Sequence, residues 1–231
     1  PRVAVLANGD ELVMPGEAIG PNQIVSSNNV GLCALINASG GEAIDLGIAP
    51  DDADGLMAMA AGARGADLLV TIGGASVGDH DLIQSVLGEK GLEVDFWRIA
   101  MRPGKPLIFG HFGDVPMLGL PGNPVSALVC GLVFLKPAIA ALLGANAPGL
   151  ETRSAVLSGD LGQNDQRQDY LRATTTKDAR GNLVVTPFGK QDSSMLSRLA
   201  RADALILREP HAPAVKAGDA VDIIDLGPLG Y

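Results

Sequence analysis

The sequence is poor in the side chains that several common kinds of functional site require. Its 231 residues include two cysteines, three histidines and only 3% aromatic residues. Cys33 and Cys130 lie far apart in apolar segments, so we expect buried thiols in a reducing cytoplasm rather than a disulfide framework. The histidines are isolated from one another, and no spacing of cysteine with histidine indicates zinc. The scarcity of aromatic rings leaves no stacking platform for single-stranded nucleic acid.

Positive charge and long apolar runs are scarce as well. The net charge is −9, which argues against a nucleic-acid partner or an anionic membrane surface. Residues 1–149 carry 7 Lys and Arg against 15 Asp and Glu, whereas residues 150–231 carry 10 against 11. The longest apolar run, Val125–Leu135, is broken by Lys136 and Pro137. We therefore interpret it as a core helix that is too short to span a membrane.

Two kinds of sequence pattern follow one another along the chain. Through residue 149, apolar runs that suit buried strands alternate with helical patterns. This alternation predicts an α/β domain over residues 1–149, with a doubly wound parallel sheet. Five short strands then follow, separated by Gly, Pro and Asp turns, and they predict a small all-β, barrel-like domain over residues 150–231. We expect these strands at residues 155–157, 169–176, 182–186, 204–208 and 220–225.

Three cations stand close together within the acidic first domain. Arg98 and Arg102 are an even number of residues apart, so on one continuous strand both side chains would emerge from the same face. The Pro-Gly-Lys-Pro segment after Arg102 predicts a stiff turn that holds Lys105 near that face. Seven residues of the acidic domain are cationic in all, and three of them lie in this segment.

A tight turn into a helix follows the cations. In the segment Leu120–Ser126, we expect Asn123 to be the N-cap and Pro124 the first helical residue. The free N–H groups of a helix start favour an anion. Together with the cations, this turn predicts an oxyanion pocket, and the alternative interpretation is a structural turn that carries solvated charges.

Acidic residues and glycines occupy the ends of other predicted strands. Asp10 and Glu11 follow the first strand, where open α/β sheets place their ligands, although exposed acids are common in loops. Asp51 and Asp52 precede a helix, and capping alone could explain that pair. The segment Gly73–Asp81 (GGASVGDHD) joins a strand to a helix as a phosphate cradle does, yet it lacks the Lys-Ser/Thr of a P-loop. Its acids suit a bridging magnesium ion or the N–H groups of a polar heterocycle.

Four motifs in this order and spacing resemble one protein family. They are GDEL at residues 9–12, GGASVGDHD at 73–81, MRPGKPL at 101–107 and LPGNPVSA at 120–127. The chain resembles the molybdopterin molybdenumtransferase family, which includes bacterial molybdenum-insertion enzymes and the catalytic region of gephyrin. The resemblance covers essentially all residues. It departs from the usual family pattern at Asn8, where the family has Thr, and at Asp192, where it has Gly.

The resemblance implies a transferase of molybdenum cofactor biosynthesis. Such an enzyme inserts molybdenum from molybdate into adenylylated molybdopterin with Mg²⁺, releasing AMP. Molybdate is a tetrahedral dianion, which calls for fixed N–H donors and Arg or Lys, so catalysis would consist mostly of positioning and charge stabilisation. The implied catalytic residues are Glu11, Asp51, Asp81, Arg98, Arg102 and Lys105. The implied substrate-binding residues are Asp10, Gly73, Gly74, Ser76, Gly78, Pro106, Pro121, Gly122, Asn123, Pro124, Ser126, Arg172 and Ser193. The implied Mg²⁺ ligands are Asp10, Glu11 and Asp81.

Two other functions remain open at this point. The first is adenylylation of molybdopterin by an enzyme of the same fold, although the RPGKP segment, Arg172 and the β domain count against it. The second is a non-catalytic binding or scaffold module, since gephyrin also clusters receptors. The resemblance further implies a homodimer, with molybdoenzymes or adenylyltransferases as partners. Because the chain starts at its first strand without Met, we also expect that further N-terminal domains would be needed for full activity.

Overall fold

The computed structural model describes residues 1–73, 92–145 and 150–227, and the chain forms two compact units. The first comprises Pro1–Ile99 and Gly104–Ala147, and the second comprises Ala100–Pro103 and Pro148–Tyr231. The boundary between residues 149 and 150 stays a prediction, but one segment differs from it. Ala100–Pro103 belongs with the second unit, because its strand pairs with a strand of that unit.

Within the first unit, a six-stranded sheet has the order β4-β1-β5-β9-β8-β6. Strands β4, β1, β5 and β9 are parallel, as predicted, whereas β8 and β6 are antiparallel to their neighbours. A separate two-stranded sheet pairs β2 with β3. The strand bounds, including β7 of the second unit, are β1 Arg2–Asn8, β2 Leu12–Val13, β3 Ile24–Val25, β4 Glu42–Ala49, β5 Leu68–Ile72, β6 Leu92–Trp97, β7 Met101–Arg102, β8 Ile108–Phe112 and β9 Val115–Leu120.

Helices connect the parallel strands. From β1 the chain passes through α1 (Asn28–Ala38) to β4 on one side, and then through α2 (Ala53–Ala60) to β5 on the other. Crossovers between parallel strands are right-handed in nearly all proteins, so two crossovers that run in opposite directions place their helices on opposite faces of the sheet. Leu56 and Ala60 of α2 cluster with Ala4 and Leu6, the alternate residues of β1 that point to one face. The doubly wound arrangement is therefore confirmed.

The last helix of the first unit runs from Pro124 to Leu142. It consists of α3 (Pro124–Cys130), a π-helical turn (Gly131–Leu135) and α4 (Lys136–Leu142), so Lys136 and Pro137 interrupt the apolar run but not the helix. Proline lacks an N–H and crowds the preceding turn, and the wider π turn just before it accommodates both effects. By length and composition alone this helix could cross a membrane, but 56% of its most apolar window is buried inside the protein, as in a core helix.

The second unit is a closed five-stranded barrel. Its strands follow the order β12-β10-β14-β13-β11, and β12 also pairs with β11, which closes the barrel. Alternate residues of these strands form its core, among them Leu157, Val185 and Ile206. The strands are β10 Arg153–Leu157, β11 Gln168–Lys177, β12 Leu183–Pro187, β13 Ala204–Arg208 and β14 Ala220–Asp225, with the short helix α5 at Leu196–Leu199. The predicted barrel-like β fold is confirmed, with two of the five strands bounded as predicted.

Candidate functional site

The carboxyl ends of four parallel strands meet at one edge of the first unit's sheet. Strand β1 lies between β4 and β5 in the sheet. The chain runs from β1 through α1 to β4, and then from β4 through α2 to β5. The winding direction therefore reverses at β1, and open α/β sheets bind ligands outside the carboxyl ends at such a switch point. Several residues proposed from the sequence lie at this edge: Asp10, Asp51, Gly73, Gly122 and Asn123.

Asp51 is fixed by the end of β1, and it does not cap the following helix. Its Oδ1 accepts a hydrogen bond from Asn8 Nδ2 at 2.8 Å, and its Oδ2 accepts one from the Asp10 amide at 3.3 Å. In return, the Asp51 amide donates to Asp10 Oδ1 at 3.1 Å. Capping falls to Asp52, whose Oδ1 accepts from the Gly55 amide at 2.7 Å. The predicted acidic pair therefore divides into one capping residue and one carboxylate held at the sheet edge.

Asn8 joins the Asp51 carboxylate to the start of the Gly-rich segment. The side chain is buried, with 6% of the residue exposed, and its Oδ1 has no hydrogen-bond partner among the residues that the structure describes. Gly73 adopts a φ of +90°, and a Cβ there would lie 2.8 Å from the Asn8 carbonyl oxygen and 3.1 Å from Asn8 Oδ1. Only glycine allows the backbone to pass this close to Asn8.

The helix starts of the first unit complete this edge. Asn28, the first residue of α1, donates from Nδ2 to the Gly122 carbonyl at 2.7 Å. Asn123 is the N-cap of α3 and Pro124 its first residue, as predicted, and Ser126 is buried in its first turn. A Cβ on Gly122 would lie 3.6 Å from Gly73 Cα, so the turn after β9 borders the end of β5. A continuous row of polar groups thus runs from Asp51 through Asn8 and Gly73 to Gly122.

Arg98 and Lys105 lie on neighbouring backbone segments of the first unit. The amide of Arg98 donates to Leu107 O at 3.0 Å, and that of Ile99 donates to Lys105 O at 3.0 Å. Both side chains are exposed, and the Arg98 guanidinium lies 3.8 Å from the centre of the Trp97 ring. Arg98 has a φ of +67°, a left-handed conformation that a non-glycine residue adopts only at a cost. A residue held in such a backbone conformation, with its charged group exposed, is a candidate for a functional role.

Arg102 does not lie on one strand with Arg98, so that prediction was wrong. Strand β6 ends at Trp97, and Arg98, the next residue, has a left-handed backbone conformation that breaks the expected alternation of side chains. Arg102 lies on β7, which pairs in parallel with β11 at Gln168 and Asp169 in the second unit. A strand of two residues is too short for the alternation of its side chains to predict which face it shares with a residue outside that strand.

Carboxylates of the second unit surround the Arg102 guanidinium. Nη1 donates to Asp165 Oδ2 at 3.1 Å, and Nη2 donates to Asp169 Oδ2 and, at 3.4 Å, to Asn164 Oδ1. The pKa of Asp165 is lowered to about 2, first by hydrogen bonds from Arg167 and then by the charge of Arg102. The positive charge expected to hold molybdate is therefore already paired within its own unit.

Arg172 is buried, with 1% of the residue exposed. Its Nε donates to Gln191 Oε1 at 3.0 Å, and its Nη1 donates to the Asp192 carbonyl at 2.7 Å. The Asp192 carboxylate turns away to accept from the amide and hydroxyl of Ser194, at 2.8 and 2.7 Å. Hydrogen bonds to Arg172 and Ser194 therefore hold Asp192, the departure from the family pattern, within the loop that also carries Ser193.

Other proposed site residues lie in exposed or undescribed segments. Glu11 is exposed, and its carboxylate fills the space that a side chain on Gly9 would need. Pro121 is buried after β9, and Pro106 is partly exposed after Lys105. Ser193 makes an interaction within the protein. Four proposed residues fall outside the described residues: Gly74, Ser76, Gly78 and Asp81.

The described residues contain no cluster of metal-binding side chains. Among residues 1–73, 92–145 and 150–227, no three His, Cys, Asp or Glu side chains lie together as a metal site would require. Asp10 and Asp51 nevertheless lie side by side at the sheet edge. Mg²⁺ is usually bound by one or two carboxylates together with substrate phosphates, and this pair fits such a partial ligand set.

Several residues of these networks are not apparent from the sequence. Asn8 stands where the family pattern has Thr, and it is separated along the chain by 43 positions from Asp51, to which it donates a hydrogen bond. Asn28 follows two serines at a helix start, a pattern that indicates capping and not a contact with Gly122. Asp165 and Asp169 carry no motif at all. Only three-dimensional pairing brings each of these residues to its partner.

Two family models together match nearly the whole chain. A family model described as a probable molybdopterin binding domain matches residues 4–141, and one described as the MoeA C-terminal region (domain IV) matches residues 154–226. A molybdopterin molybdenumtransferase of Haemophilus influenzae is 37% identical over 224 residues, which cover 96% of this chain and 55% of the relative. One of Bacillus subtilis is 31% identical over 225 residues, which cover 97% and 52%.

A solved structure shows the same fold over nearly the whole chain. The molybdopterin biosynthesis MoeA protein of Pyrococcus horikoshii has a TM-score of 0.83 at 32% identity, with 97% of this chain and 54% of that chain covered. The chain spans about half the length of the curated relatives it matches.

Proposed function

The chain belongs to the family of molybdopterin-binding domains that also carry the MoeA C-terminal region, and we propose that it inserts molybdenum from molybdate into molybdopterin. The substrate form is adenylylated molybdopterin, and AMP is the leaving group. One observation carries the proposal: Asp51, Asn8, Gly73 and Gly122 form a row along the carboxyl edge at the switch point. Sheets of this kind bind their ligands there.

The residues at this edge suit the two ends of such a substrate. The carboxylates of Asp10 and Asp51 can accept hydrogen bonds from the N–H groups of a polar heterocycle. The helix that starts at Pro124 presents amide donors, which favour phosphate or another oxyanion. Arg98 and Lys105 supply accessible positive charge within the same unit. These groups bind and orient the substrate, and charge stabilisation then accounts for most of the catalysis.

Magnesium is part of this proposal, as are a homodimer and a cytoplasmic location. Asp10 and Asp51 would hold the Mg²⁺, together with Asp81, and the ion would neutralise the phosphates of the adenylyl group. Burial raises the pKa of Cys33 to about 11, with a further contribution from Asp45, and that of Cys130 to about 12. Both thiols are free, which suits a reducing compartment.

The proposal is tested by turnover of the whole chain. The protein is incubated with adenylylated molybdopterin, Mg²⁺ and molybdate, and AMP release is followed by chromatography. We expect Lys105→Ala to reduce kcat/KM for molybdate by about tenfold or more, since one charge-assisted hydrogen bond is lost. Direct binding of molybdopterin, followed by its fluorescence, gives a second readout that does not require turnover.

The matched control is Lys177→Ala, which removes an exposed lysine at the end of β11. It should leave both readouts unchanged. If the chain neither releases AMP nor binds molybdopterin, the proposed function is wrong. If Lys105→Ala and Lys177→Ala behave alike in a chain that turns over, the role of Lys105 is wrong.

A further inference from the structure

The first two residues of α1 are buried asparagines that differ in their hydrogen bonding. Asn29 is fully buried, its Oδ1 accepts from Ser26 Oγ at 2.8 Å, and its Nδ2 donates to Asp45 Oδ1 at 2.9 Å. Asn28 is 8% exposed, and its Nδ2 donates to the Gly122 carbonyl at 2.7 Å. The Oδ1 of Asn28 is buried without a hydrogen-bond partner among the described residues. Asn29 therefore serves the fold with both ends of its amide, whereas Asn28 does so with one end only.

The chemistry of Gly122 fixes which end of the Asn28 amide lacks a partner. A backbone carbonyl only accepts hydrogen bonds, so the amide nitrogen must be the atom that faces it. The other end is then an oxygen, which requires a donor. A buried acceptor without a donor costs roughly 1–3 kcal/mol, and proteins retain that cost mainly where function requires it. The Asn28 oxygen is therefore suited to an N–H group of a ligand.

The start of α1 supplies hydrogen-bond donors beside this acceptor. The first N–H groups of a helix have no partner within the helix and carry partial positive charge. In α1 the side chain of the N-cap residue, Ser27, makes no capping hydrogen bond, and the first turn contains no acidic residue. The bond from Asn28 to Gly122 joins this helix start to the carboxyl edge of the sheet, where Gly122 borders Gly73. The edge therefore combines N–H donors with a side-chain acceptor.

We propose that Asn28 and the first N–H groups of α1 bind the lactam edge of a polar heterocycle, which is a ring N–H beside a ring carbonyl. Asn28 Oδ1 accepts from the ring N–H, and the helix N–H groups donate to the ring carbonyl. An ionised phosphate fits this place less well, because it brings oxygens towards Oδ1 and no donor. The inference rests on the proposed function, since the pterin end of molybdopterin carries such an edge. It adds Asn28 as a residue that binds and orients that end.

Fluorescence titration of the intact chain with pterin tests this site. The parent protein should bind pterin at least about tenfold more tightly than 2,4-diaminopteridine, in which an amino group and a bare ring nitrogen reverse the donor and acceptor of the lactam. Asn28→Leu removes the acceptor and should weaken pterin binding by about tenfold. Asn28→Asp loses the donor to Gly122 but keeps an acceptor, and a carboxylate is favourable at a helix start. Its affinity should therefore stay within about threefold of the parent.

Asn37→Leu is the matched control at the other end of α1. Asn37 is exposed, and its Oδ1 accepts from the Ala43 amide at 3.0 Å. This substitution should leave the affinity for pterin within about twofold of the parent. Equal losses in Asn28→Leu and Asn28→Asp would show that Asn28 only ties α1 to Gly122, and the lactam site would be wrong. The comparison of the two pteridines needs no substitution, so it tests the site even where a variant does not fold.

The outcomes separate this inference from the proposed function. If the parent binds molybdopterin but does not distinguish pterin from 2,4-diaminopteridine, the lactam site is wrong and the proposed function stands. If the parent binds neither molybdopterin nor pterin, both are wrong. Pterin binding that depends on Asn28 in a chain that releases no AMP supports the lactam site alone. If inorganic phosphate displaces pterin, and Asn28→Leu binds phosphate as tightly as the parent does, the start of α1 is an anion site and the lactam assignment is wrong.

Discussion

At the scale of single residues, Asn8 shows how one amide can connect the ends of neighbouring strands. Its Nδ2 must be the atom that faces Asp51, because a carboxylate only accepts hydrogen bonds. This assignment leaves Oδ1 as a buried atom without a partner within the described ranges. An unsatisfied buried acceptor costs roughly 1–3 kcal/mol, a cost that proteins retain mainly where function requires it. Asn8 is therefore better explained as a residue that positions Asp51 than as one that adds stability.

This interpretation predicts that Asn8→Leu impairs turnover more than folding. Leucine has the same branched shape and removes the donor to Asp51 together with the unpaired oxygen, so the free energy of unfolding should change by only about 1 kcal/mol. The Asp51 carboxylate would keep only its bond from the Asp10 amide, and its orientation would loosen. We expect kcat for AMP release to fall about tenfold with little change in KM.

Asn8→Thr restores the usual family residue and is the conservative comparison. It should recover most of the turnover, since a hydroxyl can also donate to a carboxylate. Urea unfolding of each variant separates the two effects. A loss of stability in Asn8→Leu with unchanged kcat would assign Asn8 a structural role only.

The sequence places Asp10 at the sheet edge, because it follows the first strand and open α/β sheets bind their ligands there. For Asp51, the residues favoured helix capping, and only the family resemblance implied a place in the site. The cations were predicted less well. Arg98 and Arg102 were placed on one face because a continuous strand was assumed between them. A left-handed residue at Arg98 cannot be foreseen from a non-glycine sequence. The pairing of Arg102 with Asp169 joins residues 67 positions apart and leaves no local pattern.

At the scale of elements, the predictions succeed where local chemistry decides. The strands Ala204–Arg208 and Ala220–Asp225 are bounded as predicted, because turns flank apolar runs of strand length. Asn123 and Pro124 start their helix as predicted. The helix that starts at Pro124 continues past Lys136 and Pro137, because a π turn just upstream accommodates the proline. Tertiary packing, with Leu135 and Ile139 buried, keeps the helix continuous there.

The junction of β5 with the Gly-rich segment gives a prediction at this scale. In Gly73→Ala, a methyl group would have to fit 2.8 Å from the Asn8 carbonyl oxygen at a φ of +90°. We expect a loss of roughly 2–4 kcal/mol in the free energy of unfolding, from backbone strain together with the close contact. Urea unfolding measures it.

Gly113→Ala is the control for this substitution. Gly113 also has a positive φ, of +59°, but nothing lies within 4 Å of a Cβ there. Its cost should come from the backbone alone, about 1 kcal/mol. Equal losses in the two variants would show that the contact with Asn8 does not constrain the end of β5.

At the scale of the whole molecule, the chain forms two units with separate cores. One core packs Leu56, Leu69 and Met117 in the first unit, and the other packs Leu157, Val185 and Ile206 in the barrel. The change in sequence pattern near residue 150 predicts this division. The inclusion of Ala100–Pro103 in the second unit is not predictable, because a two-residue strand carries no periodicity.

The short strand β7 makes Arg102 a structural residue of the barrel unit, and this leads to the last prediction. Arg102 pairs with Asp169, whose side chain is only 4% exposed. The Arg102 side chain is 44% exposed and also pairs with Asp165, so Asp169→Ala removes one hydrogen bond between charged groups without leaving a buried charge unpaired, and it should lower the free energy of unfolding by about 2 kcal/mol. A double-mutant cycle with Arg102→Ala should give a coupling energy of about 1–3 kcal/mol by urea unfolding. The exposed pair of Lys216 and Asp160, with side chains 75% and 57% exposed, is the control, and its coupling should be smaller because water screens both charges. If the Arg102 cycle gives no more coupling than this control, the pairing of Arg102 with Asp169 does not stabilise the fold. The Arg102 guanidinium would then be available to bind molybdate.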